Sequence, residues 1–316
     1  MILCCGEALI DMLPTTTLEG QAAFAPVPGG AVFNTAIALG RLGAHAGLWC
    51  GLSSDLFGQR LDQTLQAAGV STALCPRSDR PTTLAFVTLS DGQARYAFYD
   101  ENTAARMVTP QDLPRVPDEV EAMFFGGISL AVEPCGSAHE ALHRREAGHR
   151  LVMIDPNIRP GFISDESAYR ERLSSMMQGS DIVKFSEEDM EWLYPDTAEA
   201  EVAERLLSGG ATSILLVTRG AAGATCHLGD RRRIDRAAPK VQVGDTVGAG
   251  DTFNAGFLTG LARAGALNRS RLAELSTSVL DDCLVLAVTA ASKTASRRGP
   301  DSPWARELEP SSTSTG

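Results

Sequence analysis

The chain has 316 residues, 44% of them hydrophobic, and a formal net charge of −11, which suits one large α/β domain with a small appendage. The acidic balance argues against nucleic acid as a partner. The sequence lacks about 18 consecutive apolar residues, which argues against a membrane-spanning helix, and the strand-like start is unlike a signal peptide.

The cysteines indicate a reduced protein. They are odd in number, scattered, and form no C-x-x-C pair, which argues against a disulfide framework or a structural zinc site. The seven are Cys4, Cys5, Cys50, Cys75, Cys135, Cys226 and Cys283. We therefore expect buried thiols in a cytoplasmic enzyme.

In chain order, apolar strand-like runs alternate with helix-like segments, as in a parallel sheet covered by helices on both faces. The predicted strands are residues 2–5, 46–50, 122–125, 150–154, 182–185, 213–218 and 223–227. The predicted helices are residues 32–42, 55–68, 138–147, 168–178, 187–192, 198–208, 251–263 and 270–291. We expect residues 1–310 to form one domain and 311–316 to be a flexible tail.

Two segments, residues 12–26 and 80–100, depart from this alternation of strands and helices. Strand-like runs on both sides of Ser90-Asp91-Gly92-Gln93 predict a hairpin with Asp-Gly in the turn. We expect a small β-sheet outside the main sheet. It would close over a site as a lid, or its exposed strand edges would pair in a homodimer, and both uses stay open.

The most informative segment for chemistry is Gly248-Ala249-Gly250-Asp251, at the start of a predicted helix. Free backbone N–H groups at a helix N-terminus bind anions, and a carboxylate there can accept a proton from an attacking hydroxyl. A tight turn and an ordinary N-cap would explain the glycines and the acid separately, but not the bare backbone directly before the acid. The segment predicts phosphoryl transfer to an alcohol, with Asp251 kept ionised by the helix N-terminus.

Two stretches resemble the signatures of the ribokinase-like (PfkB) sugar kinases. Residues 29–43 (GGAVFNTAIALGRLG) resemble the first signature and residues 245–253 (DTVGAGDTF) the second. The order, the separation and the intervening pattern also match, so the resemblance covers nearly the whole chain. It implies a three-layer α/β/α fold with a mostly parallel sheet and a small β-sheet lid, and ATP and Mg²⁺ as cofactors. Residues 155–159 (DPNIR) are similar to the fructokinase and 2-keto-3-deoxygluconate kinase branches.

The resemblance also implies roles for the acceptor side. Asp251 would be the general base, and the amides of 248–250 would stabilise the transferring phosphoryl charge. Asp11, Gly29, Gly30 and Asn34 would bind the sugar. A carboxylate accepts hydrogen bonds from hydroxyls well, yet without the resemblance these four residues would be interpreted as a strand-end acid, a turn and a helix N-cap.

Asn157 and Arg159 follow the predicted strand 150–154, so they lie at the edge of the sheet where α/β sites gather. In related kinases, residues at these positions face the substrate or the phosphoryl path. An ordinary surface arginine is the alternative for Arg159.

For the nucleotide, the segment with Thr218, Gly220 and Gly223 resembles the family's contact with ATP phosphates and ribose. A hairpin turn would explain the same glycines. Lys184 precedes the place of a family motif that orders Mg²⁺ and phosphate, and it would contribute a cation to the nucleotide site.

Two ion sites are implied in the same way. Glu188 and Asp189 would order Mg²⁺ through water, although Ser186 and Asp189 also fit a capping box. Asp245 and Val247 match the family loop that holds a monovalent cation, K⁺.

The sugar itself is predicted from Asp100. Acid-sugar kinases of the family carry an arginine here to pair with the substrate carboxylate, so Asp100 favours a neutral sugar. We predict transfer of the γ-phosphate of ATP to a primary hydroxyl of a neutral ketose, fructose. The alternatives are a 2-keto-3-deoxygluconate kinase, a ribokinase or nucleoside kinase, and a non-catalytic sugar-binding homologue. The intact Asp251 loop argues against the last of these.

Overall fold

The computed structural model describes residues 1–90, 93–209 and 211–309. The strands are β1 (Ile2–Cys5), β2 (Leu9–Thr16), β3 (Ala22–Gly29), β4 (Ala46–Trp49), β5 (Leu52–Ser53), β6 (Val70–Ser71), β7 (Arg77–Ser78), β8 (Leu84–Ser90), β9 (Gln93–Tyr99), β10 (Ala122–Gly126), β11 (Leu151–Asp155), β12 (Ile182–Ser186), β13 (Ile214–Thr218), β14 (Ala224–Leu228) and β15 (Arg233–Arg236). The helices are α1 (Ala31–Arg41), α2 (Leu56–Ala67), α3 (Cys135–Glu146), α4 (Glu166–Gly179), α5 (Glu187–Leu193), α6 (Glu199–Ser208), α7 (Ala249–Arg263), α8 (Arg269–Ala273) and α9 (Thr277–Ala295).

The main sheet has nine strands in the order β15-β14-β13-β12-β11-β10-β1-β4-β6. Strands β13 to β6 pair in parallel, and β14 and β15 pair antiparallel. Strand β1 lies between β4 and β10, so the strand order reverses between β1 and β10. In open α/β sheets, ligands bind beyond the carboxyl ends of the strands at such a switch point.

Helices cover both faces of this sheet, which confirms the predicted three-layer α/β/α architecture. Consecutive strand residues point to opposite faces, so Phe124 packs with α1, α2, α7 and α9, whereas Phe125 packs with α3, α4 and α6. The central parallel strands are buried on both faces, as expected for continuous apolar runs such as β10 and β11.

The predicted lid is confirmed as a four-stranded sheet in the order β3-β2-β8-β9. Strand β2 begins before residue 12, and this corrects the prediction for Asp11. Asp11 does not end a strand; it lies within β2 and pairs with Val27 of β3 and Ala85 of β8. The predicted Asp91-Gly92 turn lies outside the described residues, between the paired Ser90 and Gln93.

One other prediction needs correction. The single helix predicted for 270–291 is two helices, α8 and α9, because the Ser276 side chain accepts a hydrogen bond from the Val279 amide and starts a new helix. Strand β14 runs antiparallel to β13, because the short connection between them permits only a hairpin. Strand β15 and the short strands β5, β6 and β7 were not predicted, and the predicted tail 311–316 lies outside the described residues.

Within the described part of the chain, no helix is both long and apolar enough to cross a membrane. The seven cysteines are buried free thiols, as expected from their apolar surroundings.

Candidate active site

The backbone that was predicted to bind an anion lies at the start of α7. Gly248 is its N-cap, in a left-handed conformation with φ of +77°, and no side chain caps the helix. A Cβ at Gly248 would lie 2.6 Å from the Pro300 Cβ, so the fold itself requires glycine there. At Gly250 the nearest atom to a Cβ would be the Lys184 Nζ, at 3.6 Å, so the space beside Gly250 is open to a ligand.

Asp251, the predicted base, is 7% exposed and is held by α1. The Asn34 side-chain amide donates to the Asp251 Oδ2 at 2.9 Å, and the Thr35 hydroxyl donates to the Asp251 backbone carbonyl at 3.3 Å. Burial raises the pKa of Asp251 to about 7, against the hydrogen bond from Asn34. Burial penalises the charged form, so it opposes the helix N-terminus that was predicted to keep Asp251 ionised.

A buried ion pair lies beside this base. The Lys184 Nζ is 2.9 Å from the Asp155 Oδ2, and the Asn254 amide donates to the same oxygen at 2.7 Å. Burial alone would lower the pKa of Lys184, but the charges of Asp155, Asp189 and Asp251 outweigh it and raise that pKa. The structure therefore places a fixed cation between the end of β11 and the bare backbone at Gly250.

The four predicted sugar-side residues form one continuous surface with the base. The Asp11 carboxylate lies against Gly29, where a Cβ would be 2.2 Å from the Asp11 Oδ2. Gly30, with φ of +108°, is the N-cap of α1, and Asn34 lies one turn further along this helix. Burial raises the pKa of Asp11 to about 6.

The loop after β11 is held from both ends. The Asn157 amide donates to the Asp155 Oδ1 at 3.2 Å, and the Ile158 amide donates to the Asp189 Oδ1 at 2.7 Å. Arg159 is exposed and its Nη1 donates to the Ile158 carbonyl at 3.0 Å. Its guanidinium forms no ion pair with another described residue, so it is available to an anionic group.

The lid sheet and the loop after β11 are in contact with one another. The ring of Phe98, on β9, packs edge-on against the ring of Phe162, with centroids 4.0 Å apart. Phe162 follows Arg159 in a short 3₁₀ helix. The lid therefore rests on the same loop that carries Asn157 and Arg159.

The predicted nucleotide segment is the hairpin between β13 and β14. Thr218 is half-buried at the end of β13 and donates to the Phe185 carbonyl at 3.3 Å. A Cβ at Gly220, with φ of +49°, would meet nothing within 4 Å, whereas a Cβ at Gly223 would lie 2.0 Å from the Arg236 carbonyl oxygen. The fold explains Gly223, and Gly220 leaves room for a ligand.

The two acids predicted to order Mg²⁺ through water, Glu188 and Asp189, differ in exposure and in the hydrogen bonds that they already accept. Asp189 forms the predicted capping box with Ser186 and also accepts from Ile158, so three donors occupy its oxygens. Glu188 is exposed. Among the residues described, no group of three or more His, Cys, Asp or Glu side chains could hold a metal ion.

The loop that was predicted to hold a monovalent cation is fixed by hydrogen bonds to Asp245. The Asp245 carboxylate accepts from the Val247 amide at 3.0 Å and from the Gly299 amide at 3.1 Å. The backbone carbonyls of Ser296 and Arg297 lie beside Gly244. A carboxylate held by two amides thus follows directly after a glycine that lies beside two backbone carbonyl oxygens.

Two residues near the site were missed from the sequence. Arg106 forms an ion pair with Asp100, at 2.9 Å, so the carboxylate that replaces the family's arginine has its own cation. Glu7 is buried directly after β1. A carboxylate after the first apolar strand was a signal for a switch-point residue, but its burial could not be inferred from the sequence.

Comparison with known proteins agrees with this geometry. Residues 1–306 match the family model for pfkB family carbohydrate kinases. A fructokinase from Rhizobium leguminosarum bv. trifolii is 49% identical over 280 residues, which cover 89% of this chain and 85% of that protein.

Solved structures agree as well. A fructokinase from Xylella fastidiosa with bound ATP superposes with a TM-score of 0.87 at 28% identity, over 97% of this chain and 96% of the other. Aminoimidazole riboside kinase from Salmonella enterica, complexed with aminoimidazole riboside and an ATP analogue, gives a TM-score of 0.82 at 25% identity, over 97% of both chains. The chain belongs to the pfkB family of carbohydrate kinases.

Proposed function

We propose that this sugar kinase transfers the γ-phosphate of ATP to a primary hydroxyl of fructose. The observation that carries the proposal is the hydrogen bond between Asn34 and Asp251, because it joins the helix that begins at the sugar-side glycines to the base. The fructokinase at 49% identity supports fructose, and the ATP-bound fructokinase structure supports ATP.

In the proposed reaction, Asp251 accepts the proton of the sugar hydroxyl as the oxygen attacks the γ-phosphorus. The bond from that phosphorus to the bridging oxygen breaks, and ADP leaves. The backbone amides of residues 248–250, of which Ala249 also donates to the Thr246 carbonyl at 3.3 Å, and the buried Lys184 ammonium would offset the charge of the transferring group. Such fixed donors act strongly in a site from which water is excluded.

The sugar would lie between the lid and the start of α1. Asp11 would accept hydrogen bonds from hydroxyls, Gly29 and Gly30 would admit the sugar to the backbone, and Asn34 would hold sugar and base together. Asn157 and Arg159 would border the path of the phosphoryl group. The Arg159 guanidinium, which donates to the Ile158 carbonyl but forms no ion pair with another described residue, supports this assignment.

The nucleotide would lie along the hairpin of Thr218, Gly220 and Gly223. Mg²⁺ bound to the phosphates would neutralise part of their charge, and such an ion commonly uses few protein carboxylates. That fits the absence of a preformed acidic cluster among the described residues. Glu188, and the remaining lone pair of Asp189, would reach the ion through water.

A monovalent cation, K⁺, fits the loop of Asp245 and Val247. Two backbone amides hold the Asp245 carboxylate, which follows directly after a glycine beside two backbone carbonyl oxygens, and hard oxygen ligands of this kind suit such an ion. The ion would stabilise the loop that leads into the amides of residues 248–250.

We also infer a cytoplasmic homodimer. Buried free thiols suit a reducing compartment. Strands β3 and β9 form the outer edges of the lid sheet, and such edges pair readily with another chain.

The substrate is tested by measuring ADP release with fructose, ribose, 2-keto-3-deoxygluconate and adenosine. We expect the highest kcat/KM with fructose, because Asp100 adds negative charge near the lid even though Arg106 offsets it. A preference for 2-keto-3-deoxygluconate would show that Arg106 serves the substrate carboxylate. Tight sugar binding without turnover would contradict the kinase mechanism.

A further inference from the structure

Glu7 is a buried carboxylate at the switch point of the main sheet, and phosphoryl transfer as described above does not use it. It follows β1 and is 5% exposed. Burial raises the pKa of Glu7, and the backbone N–H groups that bond to it oppose that rise. A carboxylate buried this deeply is retained only if it is well bonded, so its partners indicate what it does.

The partners belong to two separate segments. The Glu7 Oε1 accepts from the amides of Ala31 at 2.8 Å and Val32 at 3.4 Å, which are the first residues of α1. The Glu7 Oε2 accepts from the amide of Ser129 at 3.4 Å, which lies just after β10. One carboxylate therefore ties the start of α1 to the neighbouring strand end.

This cap replaces one that the helix cannot supply itself. Gly30, the N-cap of α1, has no side chain, so the first amides of α1 have no local acceptor. The negative charge of Glu7 also lies at the positive end of the helix dipole, which stabilises it there. Glu7 thus caps α1 from outside the helix and leaves Gly29 and Gly30 bare.

The backbone is fitted closely around this side chain. A Cβ at Gly127, with φ of +72°, would lie 2.3 Å from both Glu7 carboxylate oxygens. A Cβ at Gly30 would lie 3.1 Å from the Glu7 backbone oxygen. Displacement of the carboxylate would therefore displace both neighbouring segments.

The segment fixed by Glu7 is the one that orients the base. Helix α1 carries Asn34, which donates to Asp251, and Thr35, which donates to the Asp251 carbonyl. We propose that Glu7 is a positioning residue for phosphoryl transfer, whose carboxylate holds the start of α1 so that Asn34 stays against Asp251. The proposal rests on the role of Asp251 as base proposed above.

The first test is Glu7→Gln, which keeps the shape but turns one acceptor oxygen into a donor that faces a backbone N–H. We expect kcat to fall about tenfold or more, because a small displacement of the reacting groups lowers the rate of the chemical step strongly. The KM for ATP should stay unchanged. The matched control is Glu146→Gln. Glu146 is 9% exposed and bonds to Arg145 and Arg150, away from the site. The Glu146→Gln variant should be less stable than the wild type but should keep the wild-type kcat.

A second pair of variants leaves Glu7 in place and covers the case in which Glu7→Gln does not fold. Gly127→Ala crowds the carboxylate, whereas Gly69→Ala, with φ of +76°, meets nothing within 4 Å. Both positions have a positive φ, but the ψ of −165° at Gly127 suits only glycine and adds strain there, so the stability of each variant is measured together with kcat. We expect kcat to fall in Gly127→Ala alone.

Coupling to Asn34 shows whether Glu7 acts through α1. In an Asn34→Ala background, the loss caused by Glu7→Gln should shrink, because residues that act through one another are not additive. Unchanged kcat in Glu7→Gln and Gly127→Ala, full additivity with Asn34→Ala, or equal losses in the controls would overturn the proposal. This cycle does not include Asp251, so failure of the base assignment, seen as full activity of Asp251→Asn, is measured separately.

Discussion

The acceptor half and the donor half of the site are built differently. On the acceptor half, side chains from separate elements bond to one another: Asn34 donates to Asp251, which is 7% exposed. On the donor half the chain offers a hairpin turn, in which Thr218 is half-buried and Gly220 is exposed. Under the proposed function, the sugar would meet the base at a preformed surface, whereas the nucleotide would meet an open one.

Physical chemistry accounts for this difference. A base must be held at hydrogen-bonding distance from one hydroxyl, and hydrogen bonds from rigid helices hold it there. A nucleotide brings its own charge and must enter and leave at every turnover. Substitutions on the acceptor half should therefore change stability or kcat, and those on the donor half should change the KM for ATP.

The largest effect is expected from Lys184→Met. This variant leaves the Asp155 carboxylate buried without its cation, and breaking a buried pair costs about 3–5 kcal/mol. Denaturant unfolding measures the loss. The double variant Asp155→Asn/Lys184→Met removes both charges and should recover part of the stability. A Lys184→Met variant as stable as the wild type would show that the ion pair does not stabilise the site.

The next effect is on the chemical step. Asp251→Asn should lower kcat by about 10² or more, the scale of a lost general base. Sugar binding, measured by calorimetry, should persist because the hydrogen-bonding surface of Asp11 and Asn34 is intact. A rate close to that of the wild type would refute the role of Asp251.

Two glycine variants compare the halves directly. Gly250→Ala places a methyl group in the open space beside Lys184, so kcat should fall about tenfold or more. The Gly250→Ala variant should be as stable as the wild type, because alanine favours a helix more than glycine does. Gly220→Ala should instead raise the KM for ATP with a smaller change in kcat. The reverse pattern would contradict the assignment of the two halves.

The smallest effect is the pH dependence. The base must be ionised, so kcat/KM should rise with pH through about 7, the pKa to which burial raises Asp251. The stability contribution has the opposite sign. The folded protein keeps this proton between about pH 4 and 7 after the unfolded chain has lost it, so stability falls as pH rises through that window. Thermal unfolding of Asp251→Asn should show less of this fall, and an unchanged pH profile would contradict it.

Periodicity in the sequence was sufficient for most of the fold. The strongly apolar strands and amphipathic helices around the Asp251 loop occur where they were predicted, and the lid was found from its hairpin pattern. The antiparallel pairing of β13 and β14 agrees with the hairpin turn that was named as an alternative for Gly220 and Gly223.

The chemistry of the site was only partly accessible from sequence. The bare backbone before Asp251 was visible, but the pKa of Asp251 depends on burial, which is a property of the assembled fold. Similarly, Asp100 was used to predict a neutral sugar, and its ion-pair partner Arg106 could not be identified without the geometry. Glu7 received no role because its bonds are to backbone amides of distant segments.

The central claim is that a preformed acceptor half presents a sugar hydroxyl to Asp251. A crystal structure with fructose and a non-hydrolysable ATP analogue tests it most directly. We expect a primary hydroxyl oxygen of fructose within hydrogen-bonding distance of the Asp251 carboxylate, with the Asn34–Asp251 hydrogen bond intact. A sugar bound with every hydroxyl remote from Asp251, or with α1 and α7 moved apart, would contradict the account.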